Sequence, residues 1–411
     1  MAAHDKGSWL IVGVLFVTLF LIWGPINASG VFFLSVVKHF GWSRALFSAL
    51  VATAPLAAGL CSPFIGSLID RIGARRVMIA GAAMVAVAYV ALSRANSAAA
   101  FFVIFILLGI GITASTIIPT ALVITNWFRA RRGMALGIAF AGIPLGGTGI
   151  TIFANYVVSH YGFRAGYLAM AIPIVIVVIP LLVMFLKTWP EREEAGSLAK
   201  ESRMTLPGLE VRQALMSRSF WMIAIAEVLF ATAGVGIRVH LVPYLTGIGY
   251  APPRAAEIFG AMFVFSAIGS FAIGPFADRF GGRTMLMAIF VAGAIGVATL
   301  LGASHFSAVA AFVVIFGLVR ETPAVLLPIV IGESLGTRRL GSLLGIQAFF
   351  TTLGFAAGPI LAGRIFDLSG AYSGALLLFV AIVLIAALAI RAALPLAKEQ
   401  ARIIVGETAA A

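Results

Sequence analysis

The chain has 411 residues, 62% of them hydrophobic and only 10% charged. Soluble domains carry roughly 25% charged residues, so this composition excludes a water-solvated surface and puts most of the exterior against lipid. A formal charge of +13 would suggest nucleic acid in a soluble protein; in a membrane chain it follows from basic residues collected in the loops of one face.

A membrane span needs about 20 apolar residues. Twelve such stretches follow in order: 9–37, 44–68, 77–94, 100–126, 133–158 and 164–187, then 219–245, 255–276, 284–303, 306–332, 341–363 and 372–394. The first stays apolar from Trp9 to Trp23 and beyond, so it reads as a retained span rather than a removable signal. It contains Gly24-Pro25, and the seventh contains Gly234 and Gly236, so both spans are expected to kink. Cys61 is the single cysteine and lies inside an apolar run, which rules out an intrachain disulfide.

The only long polar stretch is 189–217, with Glu191, Arg192, Glu193, Glu194, Lys200, Glu201 and Arg203. The expected organisation is a six-helix bundle at 1–188, a linker at 189–217, a second six-helix bundle at 218–396 and a tail at 397–411, loosely ordered from Lys398. Alternate loops hold 20 basic residues on one side of the membrane and six on the other (Lys38, Arg44, Arg94, Arg164, Arg254 and Arg364). The basic side contains both termini, which are therefore expected in the cytoplasm of a plasma or inner membrane.

One motif occurs twice, 208 residues apart: Gly66-Ser-Leu-Ile-Asp70-Arg71-Ile-Gly73-Ala-Arg75 and Gly274-Pro-Phe-Ala-Asp278-Arg279-Phe-Gly281-Gly-Arg283. Gly109, Arg131, Gly133, Gly137, Gly146, Gly162 and Gly166 recur at the same offset as Gly317, Arg339, Gly341, Gly345, Gly354, Gly370 and Gly374. A constant offset over so long a stretch means two homologous halves. Six spans per half is an even number, so the repeats are parallel. Gly66 and Gly274 would let helices approach closely; Asp70 and Asp278 would cap a neighbouring helix N-terminus or pair with basic residues of the next loop. The plainer alternative is a tight turn that obeys the positive-inside rule.

The motif resembles the 2–3 loop signature of the major facilitator superfamily, Gly-x-x-x-Asp-Arg-x-Gly-x-Arg-Arg, which Gly66 to Arg76 match throughout. With the span count, the linker and the second copy, the resemblance covers the whole chain. It implies an all-α integral membrane fold of twelve helices in two parallel-repeat six-helix bundles. It also implies that Gly66, Asp70, Arg71, Gly73 and Arg75, with Gly274, Asp278, Arg279, Gly281 and Arg283, belong to a cytoplasmic gate and not to a substrate site. Trp127-Phe128-Arg129-Ala130-Arg131-Arg132-Gly133-Met134-Ala135-Leu136-Gly137-Ile138-Ala139-Phe140-Ala141-Gly142 resembles the fifth-helix signature of monocarboxylate transporters, with Trp in place of Tyr and Met134 in place of Leu. Asp5-Lys6-Gly7-Ser8-Trp9 matches that family's other signature loosely, and His240-Leu-Val-Pro243-Tyr-Leu followed by Gly249 resembles the seventh-helix end of bacterial members. The eighth span departs from the family: its animal members carry an Asp and an Arg there, whereas Ala255 to Phe276 has no ionisable residue after Glu257.

Ionisable residues within spans are costly and rare, and by default mark function. Glu227, Arg238, Arg320 and Glu321 are such residues. The expectation is that Arg238 or Arg320 binds an anion, since a guanidinium offers a carboxylate two parallel hydrogen bonds, and that Glu321, with Glu227 as second choice, exchanges a proton. The alternative is a structural salt bridge between helices. Glu227 and Arg238 are eleven residues apart, close to three turns, and share a face of an unbroken helix. Thr113, Thr116 and Thr120 form a polar stripe at i, i+3, i+7 on the fourth span, and Thr113 is the repeat counterpart of Glu321. Arg320 is expected to point about 100° away from Glu321 on a regular helix. Asn27, Thr116 and Gln347 are further candidates for substrate contact, with helix packing as their alternative; His240 reads as a satisfied histidine.

The resulting expectation is a secondary active transporter of a small organic anion, a monocarboxylate, coupled to protons and acting by alternating access. No phosphate loop, nucleophile–base constellation or Cys/His cluster is present, so no cofactor, metal or enzymatic activity is expected. Expected partners are the anion, the proton and the bilayer, with no nucleic acid and a monomeric state. The competing readings are an exporter of a neutral or cationic compound and a non-transporting membrane sensor.

Overall fold

The computed structural model describes residues 2–128, 130–187 and 207–401, with side chains from Ser8 onward. Among these residues the chain is helical except for its turns and one isolated antiparallel bridge, Gly208 with Gly336. Eleven helical stretches are long and apolar enough to cross a bilayer. One of them, Arg132–Phe185, has 54 residues. That is roughly 80 Å of helix against a hydrocarbon core of about 30 Å. It breaks at Gly162, at φ 80° and ψ 170°, and so divides into two spans. With that division the described residues hold twelve spans.

Contacts divide the chain into two compact units, Met1–Arg129 with Ile138–Arg192, and Ala130–Gly137 with Glu193–Ala411. The segment Ala130–Gly137 thus groups with the second unit, although the repeat assigns it to the first half. Residue 188, residues 189–206 of the expected linker and 402–411 of the expected tail lie outside the described residues.

In the first unit the first span is α1 (Ala2–Asn27) and α2 (Ser29–Phe40). Next come α3 (Arg44–Ile72), α4 (Ala74–Arg94), and a fourth span made of α5 (Ala98–Ser115) and α6 (Ile117–Trp127). The fifth and sixth follow from α7 (Arg132–Phe140), which groups with the second unit up to Gly137, then α8 (Gly142–Pro173), a π-helical turn (Ile174–Val178) and α9 (Ile179–Phe185). The first span breaks at Ala28, not at Gly24-Pro25: the Ala28 amide still donates to the Gly24 carbonyl at 3.0 Å, and the ladder restarts beyond it. Gly24 serves packing instead, since a Cβ there would overlap Ile150 of α8. An aromatic cluster fills one end of this unit, with Phe32 stacked on Tyr167 at 4.3 Å between centroids and Phe47 and Phe101 edge-on at 6.2 Å. Large side chains such as Phe64 and Ile176 stay exposed, as a lipid-facing surface requires.

In the second unit α10 (Val211–Met216) precedes α11 (Arg218–Gly247), α12 (Pro252–Phe280) and α13 (Gly282–Thr299). Then come α14 (Phe306–Arg320) and α15 (Thr322–Ser334), which share one span, and α16 (Leu340–Ser369) and α17 (Ser373–Ala392). The seventh span runs as one helix, without the expected kink at Gly234 and Gly236. Gly236 is where the Phe379 ring packs, and a Cβ would collide with it. The end of the linker is structured. The Leu209 amide donates to the Leu335 carbonyl at 2.9 Å, and the Thr337 amide to the Pro207 carbonyl at 3.0 Å. Glu210 pairs with Arg338 at 3.0 Å and Arg339 at 2.8 Å.

The start of the tail is docked rather than loose. Glu399, 1% exposed, accepts from the Arg218 amide at 2.9 Å and the Ser219 hydroxyl at 2.9 Å. A helix N-terminus has amides without intrahelical partners, and here a carboxylate from 181 residues away meets one of them.

Candidate functional site

The tenth span is interrupted at Glu321, between α14 and α15. Pro323 causes the interruption: it has no N–H for the Val319 carbonyl four residues back, and the Thr322 hydroxyl donates to that carbonyl instead, at 2.7 Å. At the break Glu321 has φ −98° and ψ −5°. Neighbours on a regular helix diverge by 100°; the break instead lets Arg320 and Glu321 meet, which corrects the expected divergence. Arg320 donates to a single oxygen, Glu321 Oε1, from Nε at 2.9 Å and Nη2 at 2.6 Å. The Arg320 side chain is only 6% exposed and that of Glu321 28%. The Phe263 ring covers the guanidinium, 4.7 Å from its carbon. Nη1 of Arg320 is buried without a hydrogen-bond partner. Glu321 therefore occupies one edge of the fork, and the Nη1–Nη2 edge remains free for a second acceptor.

Arg238 lies within electrostatic reach of both Arg320 and Glu321. Its side chain is exposed and has no ion-pair partner among the described residues. Glu227 sits three turns away on the same continuous helix, 5% exposed, with Oε1 unpartnered. The structure thus brings Arg320 and Glu321 into contact, with Arg238 within electrostatic reach of the pair, and leaves Glu227 roughly 16 Å from Arg238 along α11.

The other candidates have packing contacts. Thr116 is buried and donates its hydroxyl to the Ile112 carbonyl at 2.6 Å; Thr120 is buried, and Thr113 donates to the Ala58 carbonyl at 3.2 Å. Of the polar stripe, Thr113 and Thr116 thus bond to backbone carbonyls of their own unit, and the Thr120 hydroxyl is buried without a partner. Gln347 is buried and donates to the Phe220 carbonyl at 3.2 Å, tying α16 to α11. Asn27 is half-buried with its amide against Gly147. His240 lies 3.0 Å from the Tyr372 hydroxyl through Nδ1 and 3.1 Å from the Pro359 carbonyl through Nε2, so both ring nitrogens have partners. Among the described residues no three His, Cys, Asp or Glu side chains converge to hold a metal.

The repeated loops are built alike. Gly73 and Gly281 close them with φ 87° and φ 82°, where a Cβ would be strained. Arg75 donates to the Val183 carbonyl, and Arg283 to the Arg391 carbonyl at 3.4 Å, the same contact displaced by the repeat. Gly66 is buried, Asp70 is half-buried and Arg71 is exposed; Arg279 is exposed beside the Phe280 ring. Asp278 accepts from the amides of Gly133 at 2.7 Å and Met134 at 3.0 Å, so it caps the start of α7. Gly274 and Gly133 make that crossing possible, since a Cβ on either would run into the other's carbonyl. Sequence reasoning missed Glu333, which accepts from the amides of Gly282 at 2.8 Å and Arg283 at 3.2 Å and caps α13. Its repeat counterpart is Thr125, so the repeat held no hint of it.

The family model of the Major Facilitator Superfamily matches residues 14–261 and 241–409. An uncharacterized MFS-type transporter, YcxA, of Bacillus subtilis (strain 168) is 25% identical over 393 residues, covering 90% of this chain and 91% of that protein. Monocarboxylate transporter 13 of Bos taurus is 25% identical over 372 residues, covering 89% and 84%. Among solved structures, the proton:xylose symporter XylE superposes with a TM-score of 0.76 at 13% identity, covering 94% and 95%.

Proposed function

Starting from the fact that this chain belongs to the Major Facilitator Superfamily, we propose that it carries a small organic monoanion, a monocarboxylate, across the membrane together with a proton, by alternating access. The family makes it a multi-pass membrane transporter and not an enzyme. The observation that carries the substrate class is the free edge of Arg320: a nearly buried guanidinium with Nη1 unpartnered. Buried polar groups without partners are uncommon and need an explanation, and a carboxylate fits this one in shape and charge. Arg238, Arg320 and Glu321 together carry one net positive charge, which suits a monoanion better than a dianion. The name of the Bos taurus relative supports the same class.

Glu321 is the proton carrier in this reading. When it takes a proton its negative charge is removed, a substrate carboxylate binds the free Nη1–Nη2 edge of Arg320 without repulsion from that charge, and the proton leaves Glu321 after the substrate does. Glu227, buried without a partner on Oε1, is the second candidate. Asn27 is a candidate contact for the uncharged part of the substrate, while Thr116 and Gln347 act through helix packing. The duplicated loops at Gly66–Arg75 and Gly274–Arg283 form the gate. The two bundles are 1–188 and 218–396, and the distribution of basic residues supports cytoplasmic termini in a plasma or inner membrane.

The test is uptake into proteoliposomes of lactate, benzoate and a cationic dye by wild type, Arg238→Gln and Arg320→Gln. Loss of lactate or benzoate uptake in Arg320→Gln, by tenfold or more, is expected. Unchanged uptake in both variants would remove the anion site. The completed Arg320–Glu321 pair favours a second reading, in which the pair is structural and the protein exports neutral or cationic compounds; dye transport that survives both substitutions would support it.

A further inference from the structure

Away from the charged cluster, the second unit has an apolar groove of about 670 Å³ between α13 and α17. Ala292 and Ala387 form its floor, and Val291, Ile295 and Leu388, exposed by 39%, 54% and 64%, form its walls. The groove follows α13 for roughly 12 Å, most of one leaflet's hydrocarbon depth. Arg391 closes the end at which α13 begins and α17 stops. The Arg283 guanidinium lies beside it, with Nη2 on the Arg391 carbonyl and Nε buried without a partner. Neither arginine has an ion-pair partner among the described residues.

The repeat supplies an internal comparison. At the same register the first half has Met84 for Ala292, Ile179 for Ala387 and Val183 for Arg391. The arginine-to-carbonyl contact is present in both halves, from Arg75 and from Arg283. The small floor residues and the second charge occur in the second half alone. A hollow lined by alanines, open to lipid and ended by Arg391, with Arg283 bonded to the Arg391 carbonyl and neither arginine ion-paired among the described residues, is complementary to one kind of molecule, a chain of methylenes ending in an anionic head.

We propose that this groove binds an anionic glycerophospholipid, with one acyl chain along α13 and α17 and the phosphate on Arg391 and Arg283. The experiment uses the full chain, purified and stripped of lipid, with binding read by native mass spectrometry and thermal unfolding. The probes are dioleoyl phosphatidylglycerol, dioleoyl phosphatidylcholine and glycerol 3-phosphate. Phosphatidylglycerol is expected to bind several-fold more tightly than phosphatidylcholine, and glycerol 3-phosphate far more weakly than either. Arg391→Val should weaken phosphatidylglycerol about fivefold and leave phosphatidylcholine unchanged. Ala292→Met and Ala387→Ile should weaken both lipids by filling the groove. These variants install residues that the first half already carries at that register, and helical circular dichroism checks that each folds. If Ala387→Ile does not fold, Ala292→Met alone reads the groove. Equal binding of the two lipids, phosphatidylglycerol binding indifferent to Arg391→Val and Ala292→Met, or glycerol 3-phosphate binding as tight as the lipid would each overturn the proposal.

Discussion

Replacing Glu321 with Gln separates substrate binding from proton coupling. In the wild type an incoming carboxylate on the free Nη1–Nη2 edge of Arg320 faces the negative charge of Glu321 across the guanidinium. With hydrogen bonds of about 2.8 Å on adjacent edges of the guanidinium, which share Nη2, the two anions lie roughly 6 Å apart. At an effective dielectric near 20, like charges at that distance repel by about 3 kcal/mol. Glu321 is 28% exposed, and solvent screens part of this, so we take half, ~1.5 kcal/mol, or about tenfold in Kd. The amide still accepts one hydrogen bond from Arg320, which limits the loss of folding stability. Glu321→Gln is therefore expected to bind lactate or benzoate about tenfold more tightly and to exchange it across proteoliposomes in counterflow. It should no longer accumulate either acid in response to a pH gradient. The assays are thermal-shift titration, counterflow and gradient-driven uptake on one preparation. Weaker or unchanged affinity, together with persistent gradient-driven accumulation, would refute both the competition between Glu321 and the substrate and its role in proton transfer.

Glu227→Gln removes a buried carboxyl with an unpartnered oxygen, so the thermal midpoint should stay the same or rise; a lower midpoint would reveal a structural partner. Asp278→Asn keeps one of the two acceptors on α7 and loses the charge facing the helix N-terminus, a cost of about 1 kcal/mol. It should read out as faster hydrogen exchange at Gly133 and Met134, with lactate affinity unchanged. Glu399→Ala leaves the Arg218 amide without an acceptor and the Ser219 hydroxyl with only the Leu394 carbonyl at 3.3 Å, a cost of about 1–2 kcal/mol. Exchange at the first turn of α11 should rise; unchanged protection there would show that Ser217 caps the helix alone.

The repeat made the frame legible. Its offset located both loops, and the structure repeats their detail: positive φ at Gly73 and Gly281, and Arg75 and Arg283 each reaching the carbonyl 108 residues on. Helix breaks were harder to read, because Gly24-Pro25, Gly234 with Gly236, and Thr322-Pro323 look alike as local signals. What separates them is their surroundings. Gly24 and Gly236 are small because Ile150 and Phe379 pack on them, while Pro323 has Thr322 to satisfy the carbonyl it leaves open. Caps supplied from far along the chain were also hidden. Glu333 and Glu399 act 51 and 181 residues from the amides they hold, and neither follows a spacing rule.

The asymmetry between the halves bears on how a charged pair is tolerated within a span. Both halves interrupt their fourth span, at Thr116 and at Glu321. In the first half the interruption carries a hydroxyl that bonds back to its own helix. In the second, Arg320 is the last residue of α14 and Glu321 precedes the first residue of α15. A helix ends in partial negative charge and begins in partial positive charge, so each side chain has the sign that its helix end favours. The backbone thus contributes to stabilising both charges, and the pair does not depend wholly on its own contact. Under the proposed function this matters for turnover. A buried pair held only by mutual attraction would resist separation, because parting it strands two charges in a low dielectric. Here, when Glu321 is protonated and the substrate sits on the free edge of Arg320, the α14 terminus still supports the guanidinium. The cost of exchange falls on one contact, which a proton can break.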